Sequence, residues 1–170
     1  MKFLGFLVLI IAVFFGGLYF YSQSKKPNNS GLSSASNSAK PQKLIPGSGK
    51  WSTNLPAALK EAKASGRKVL VDFSGSDWCG WCVKLDQEVF SKSKFKDFAG
   101  KNLVLVMIDF PRSKSQSGTL KAANAKLSQQ YGVRGFPTVL LLDANGKVLF
   151  KTGYRNGGPD SYISHLKPYL

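Results

Sequence analysis

Of 170 residues, only two are cysteine, one is histidine, and nine acids face 24 lysines and arginines. Two cysteines are too few for the disulfide scaffold of a small secreted domain. With no third cysteine and with His165 distant in the chain, zinc ligation lacks donors. The first 50 residues contain no acid and six lysines. The net charge of +15 is spread along the chain, lysine dominates arginine, and no dense basic cluster interleaves with aromatics. That pattern argues against nucleic-acid reading and for a solvated basic surface or attraction to anionic lipid headgroups.

The two cysteines lie three residues apart in Trp78-Cys79-Gly80-Trp81-Cys82. A structural role is poorly supported, because so small a ring restrains little chain entropy. The flanks point to chemistry instead. Lys68-Val69-Leu70-Val71-Asp72-Phe73 reads as a buried strand, and Cys82, Leu85 and Val89 recur at helical spacing. A strand that delivers Cys-x-x-Cys to the start of a helix suits thiol–disulfide exchange.

Phe3 to Tyr21 is a run of 19 uncharged residues. As a helix it would be roughly 28 Å long, close to the hydrocarbon thickness of a bilayer. Tyr19 and Tyr21 stand where an interfacial aromatic belt would be. The run reads as an uncleaved membrane anchor, with a cleaved signal peptide as the alternative. Lys25 and Lys26 after the run leave the positive-inside rule undecided. The short N-terminal flank and long C-terminal part resemble an export signal. The expected location is therefore periplasmic or otherwise extracytoplasmic, anchored in the cytoplasmic membrane or secreted after cleavage. Residues 22–50, rich in Ser, Asn, Pro, Gly and Lys, read as a flexible linker spanning about 30 Å.

Residues 51–170 suffice for one domain. Asn54 caps a helix with the stripe Leu55, Leu59, Ala62, ended by Gly66. A strand over Val69–Phe73 and a helix from Cys79 to about Phe90 follow. Ser91–Phe98 reads as a basic connector, and Leu103–Ile108 as a buried parallel strand. Leu120, Ala123, Leu127 and Tyr131 mark another helix. Thr138–Leu142 and Lys147–Phe150 form a hairpin, and Ser161–Tyr169 a last helix with Tyr162, Ile163 and Leu166 inward. The order α-β-α-β-α-β-β-α predicts a mixed sheet with helices on both faces.

Val71-Asp72-Phe73 with Trp78-Cys79-Gly80-Trp81-Cys82 resembles the active-site stretch of the thioredoxin family. Tyr131-Gly132-Val133-Arg134-Gly135-Phe136-Pro137-Thr138 resembles that family's cis-proline stretch, and Gly153 its glycine after the last strand. The resemblance covers residues 51–170 and implies an α/β, thioredoxin-like fold. Ser74-Gly75-Ser76-Asp77-Trp78 is most similar to membrane-anchored or exported members, among them DsbH-type periplasmic reductases. There are departures. One extra residue separates Asp72 from Cys79, Gly-Trp replaces Gly-Pro, and Leu105 stands where thioredoxin has a lysine partnering its buried aspartate. That last change puts a proton relay through Asp72 in doubt.

On this reading Cys79 is the nucleophile at a helix N-terminus, Cys82 resolves the mixed disulfide, and Asp72 is a possible proton acceptor. The lesser alternative for Asp72 is a strand-end surface or capping carboxylate. Pro137 in cis would free Phe136 backbone groups for a substrate strand; otherwise it is a strand-edge proline. Trp78 and Trp81 could form an apolar docking surface, and Trp78 could equally be core. Pro111–Gly118 would lie beside the cysteines as a substrate-contact loop or a solvated one. His165 reads as a surface residue. The implied partners are disulfide-containing proteins and a membrane electron-donor protein, with no cofactor, no nucleic acid and a monomeric chain. A disulfide reductase is favoured because Gly80-Trp81 places no histidine between the cysteines. An oxidase or isomerase, a cytochrome c maturation reductase and a non-catalytic binding domain are the alternatives.

Overall fold

The computed structural model describes residues 49–170, so the expected anchor and all but the last two residues of the expected linker lie outside the described residues. Within 49–170, no helix is long and apolar enough to cross a membrane.

Five strands form one mixed sheet in the order β1-β3-β2-β4-β5. They are β1 (Trp51–Ser52), β2 (Lys68–Ser74), β3 (Leu103–Asp109), β4 (Thr138–Leu142) and β5 (Val148–Thr152). β1 and β2 run parallel to β3, while β4 runs antiparallel to both β2 and β5. The central β2 and β3 are almost continuously buried, as their apolar runs require.

The helices are α1 (Leu55–Ser65), α2 (Gly80–Leu85), α3 (Ser93–Asn102), α4 (Gly118–Gln130) and α5 (Gly158–Leu166). A π turn, Asp86–Phe90, continues α2, and a 3₁₀ turn, Lys167–Tyr169, ends the chain's last helix. α1 starts at the expected cap: Asn54 Oδ1 accepts from the Ala57 N–H at 3.0 Å. It stops at Gly66, whose φ of +72° few other residues adopt.

Alternation along β2 divides the core. Leu70 faces a layer containing Leu105 of the neighbouring β3 and Leu85, Val89, Phe90, Phe95, Tyr162 and Leu166, supplied by α2, its π turn, α3 and α5. Val69, Val71 and Phe73 face the other side, with Leu55, Ala58 and Ala62 of α1. Helices therefore cover both faces, as expected.

Several expectations change. The connector at Ser91–Phe98 is largely helix, because Phe95 and Ala99, one turn apart, are both fully buried. The last helix begins at Gly158, with Pro159 in its first turn. In α4 Ala123 is exposed and Asn124 is the buried residue, since its amide donates to the Asp109 carbonyl at 2.9 Å. His165 is half-buried rather than superficial, packed on Phe150 and 3.2 Å from Thr152 Oγ1. β1 is an addition at the sheet edge.

Candidate active site

Parallel β2 and β3 end together, and Ser74 pairs with Asp109 in register. The chain leaves β2 through a tight turn in which the N–H groups of Trp78 and Cys79 both donate to the Gly75 carbonyl, at 3.2 and 2.9 Å. Gly75 is required here: a Cβ would lie 2.5 Å from the Trp78 indole. The turn sets Cys79 as the N-cap of α2, in extended conformation, with its Sγ 3.3 Å from the Cys82 N–H. A thiolate there meets this helix N–H, which also donates to the Cys79 carbonyl at 3.0 Å, and the positive dipole end.

Cys79 and Cys82 are disulfide-bonded, with Cα atoms 5.2 Å apart. Their exposures differ: 8 % for Cys79 and 3 % for Cys82. Cys79 is thus the more exposed residue of the pair.

Asp72 lies on the same face of β2 as Leu70, the face covered by α2 and its π turn. It is 3 % exposed, and its Oδ1 has no hydrogen-bond partner. Burial first, then the nearby carboxylates Asp86 and Asp109, push its pKa from 3.8 up to about 7. Leu105 is buried in the same core layer, where the departure from thioredoxin placed an aliphatic side chain instead of a lysine. An unpartnered carboxyl that titrates near neutrality can take a proton without a cationic partner. Burial, and then the charge of Asp72, also push the Tyr162 phenol up.

Phe136–Pro137 is a cis peptide bond, as the resemblance implied. Thr138 pairs with Phe73, which brings this segment to the edge where the cysteines lie. Gly153 abuts it: a Cβ would come 3.0 Å from the Pro137 carbonyl oxygen.

Both tryptophans are exposed, Trp78 by 38 % and Trp81 by 58 %. Trp78 is therefore a surface group rather than core. Its indole N–H donates to the Phe110 carbonyl at 2.7 Å, its ring meets Phe136 edge-on, and the Arg112 guanidinium stacks on it at 3.9 Å. Trp81 packs on Tyr154, with Lys84 Nζ over both rings.

The loop after β3 is fastened to the active-site turn by residues that the sequence did not single out for this role. Asp77 accepts from the backbone N–H groups of Arg112, Ser113 and Lys114 at 2.9, 2.7 and 3.1 Å. These bonds hold its carboxyl below the usual carboxylate range, with the bond from Arg112 the largest cause. Asp109 accepts from both the N–H and the hydroxyl of Ser76. The carboxyl-end rule for parallel strands brings this loop beside the cysteines; it does not reveal Asp77 as the clamp or Tyr154 as Trp81's neighbour.

These features define a thioredoxin-like domain bearing a redox-active dithiol. The chain belongs to the thioredoxin-like domain family, which it matches over residues 55–163. It is 39 % identical over 113 residues to a Chlamydia pneumoniae protein described as disulfide bond reductase DsbH, covering 66 % of this chain and 68 % of the relative. A solved structure, DsbH oxidoreductase, superposes with a TM-score of 0.68 at 36 % identity, covering 76 % of this chain and 91 % of that one. A thioredoxin from Thermus thermophilus superposes with a TM-score of 0.52 at 20 % identity, over 70 % and 85 %, which shows the common fold. The chain is a thiol–disulfide oxidoreductase of the DsbH type.

Proposed function

We propose that the chain reduces disulfides of proteins outside the cytoplasmic membrane, cycling through Cys79 and Cys82. The observation that carries this is the pairing of a reachable Cys79 with a buried Cys82 on a helix that covers the face carrying unpartnered Asp72. The reducing direction is supported by the similarity to a protein described as a disulfide bond reductase.

In the reduced protein the Cys79 thiolate attacks one sulfur of a substrate disulfide. The substrate S–S bond breaks, a Cys79–substrate disulfide forms, and the departing thiolate takes a proton. Asp72 accepts the proton of Cys82, whose thiolate attacks Cys79 Sγ. The 79–82 disulfide closes and the second substrate thiolate leaves and is protonated. Two electrons have passed to the substrate. A dithiol-bearing membrane electron-donor protein returns them to this chain. Trp78, Trp81, Phe136 and Pro137 form the surface on which the substrate backbone lies. One chain carries all these groups, which suits a monomer. The uncharged run at residues 3–21 supports membrane attachment and an extracytoplasmic location, with residues 22–50 as tether.

The reduction potential against glutathione, read by tryptophan fluorescence, tests the direction. A value near that of thioredoxin, about −270 mV, is expected; a value near about −120 mV would make the protein an oxidant.

A further inference from the structure

A cleft of about 480 Å³ opens beside the dithiol, lined by Trp81, Tyr154, Arg155 and Asn156. One wall is Trp81, in the turn between the two cysteines. The other is the segment after β5, which begins at Gly153 against the Pro137 carbonyl oxygen. The cleft thus adjoins the segment on which the substrate backbone would lie. Its walls are aromatic, with the Trp81 and Tyr154 rings 5.2 Å apart, and Lys84 Nζ sits 5.3 and 5.1 Å from their centroids.

The charges at the cleft are uneven. Arg155 is exposed and has no hydrogen-bond or ion-pair partner among the described residues. The acid at the margin, Glu88, is engaged: Tyr154 Oη donates to its Oε2 at 2.6 Å, and its Oε1 lies 3.9 Å from Lys84 Nζ. Tyr154 Oη also lies 2.9 Å from Asn156 Oδ1, which ties two of the lining residues together. What remains is an unengaged guanidinium on a cleft that combines two aromatic rings with polar groups, next to the dithiol.

We propose that this cleft is a specificity subsite for a carboxylate-bearing side chain of the substrate polypeptide, close in sequence to the cysteine that Cys79 attacks. The aliphatic stem of a glutamate would lie across the exposed side of the packed Trp81–Tyr154 pair, and its carboxylate would meet Arg155, with Lys84 adding to the field. The subsite rests on the thiol–disulfide exchange reading and adds to it a preference among substrates. A guanidinium matches a carboxylate in a two-pronged geometry that a lysine ammonium does not.

The test uses the reduced full chain and two synthetic peptides, each closed by one internal disulfide and differing only by Glu or Gln beside the cysteines. The second-order rate of oxidation is followed by tryptophan fluorescence. The Glu peptide is expected to react about three- to fivefold faster at low salt, as a partly exposed ion pair allows. Arg155→Gln should bring the ratio to within about 1.5-fold, and about 0.5 M salt should do the same. Lys63→Gln removes the same charge at the end of α1, at the opposite edge of the sheet, and should leave the ratio intact. A ratio near one in the unmodified chain would overturn the subsite. So would a ratio that survives Arg155→Gln or falls equally with Lys63→Gln, since general charge would then account for it. If neither peptide reacts, the exchange reading itself fails, and the subsite with it.

Discussion

Replacing Asp72 by asparagine should stabilise the protein at pH 8 and slow its chemistry. The carboxyl is buried without a cation, and its folded pKa is raised from 3.8 to about 7. Between about pH 4 and 7 the folded protein therefore holds a proton that the unfolded chain has already released. Its contribution to stability is complete below about pH 4, declines as pH rises toward 7, and is lost above it. A shift of about three units at about 1.36 kcal/mol each makes the loss on the order of 4 kcal/mol. Asparagine removes the charge but brings a buried amide that needs partners, at about 1–3 kcal/mol. Urea unfolding of the disulfide-closed form should show the variant more stable by roughly 1–3 kcal/mol at pH 8. At pH 4, where the native carboxyl is neutral, that advantage should vanish or reverse. If Asp72 also takes the Cys82 proton, the variant should release the second substrate thiol at least about tenfold more slowly at neutral pH. A stability difference independent of pH would refute the electrostatic argument. Unaltered release of the second thiol would remove Asp72 from the proton path and leave the stability result standing.

Four other outcomes follow from the structure. Gly75→Ala puts a methyl group into the Trp78 indole, so the ring should leave the Phe110 carbonyl; a shift in tryptophan emission and a loss of about 1–3 kcal/mol in urea unfolding would register it. Asp77→Ala should free the backbone N–H groups of Arg112, Ser113 and Lys114, read as faster amide exchange at those three positions. Because the Asp77 carboxyl is held below its ordinary range, the native loop should loosen only as pH falls beneath that range. Phe90→Ala, at the centre of ring contacts with Trp51, Phe95 and Tyr162, should cost about 3–5 kcal/mol by calorimetry or urea unfolding.

The catalytic strand, its dithiol turn and the final hairpin are legible because each carries a local signal. The β2 and β3 runs are continuously apolar, and Cys-x-x-Cys sits at the strand-to-helix boundary. The elements that escape depend on long-range contacts. β1 is two residues at a sheet edge, held by pairing with Leu105 and Val106. At α3, the N-cap Lys92 and then Lys94, Lys96 and Lys101 within the helix obscure the one-turn pair Phe95 and Ala99, which a count at helical spacing would have found. In α4 a polar residue, Asn124, occupies the buried position because its partner is the backbone carbonyl of Asp109 at the end of β3. The same holds around the dithiol. Asp72 is visible as an acid in an apolar run, and the absence of its lysine partner is visible in Leu105. The Asp77 clamp joins residues 35 to 37 positions apart, and the Trp81–Tyr154 contact spans 73, distances over which no periodicity speaks.

The assignment of roles to the two sulfurs is tested most directly by trapping. Reduced Cys82→Ser and reduced Cys79→Ser would each be mixed with a disulfide-closed peptide, and the products weighed and mapped by mass spectrometry. The account predicts that Cys82→Ser accumulates a stable mixed disulfide on Cys79, because the resolving thiol is gone, while Cys79→Ser reacts far more slowly through its buried Cys82. Equal adduct formation by both variants, or faster reaction at Cys82, would contradict it.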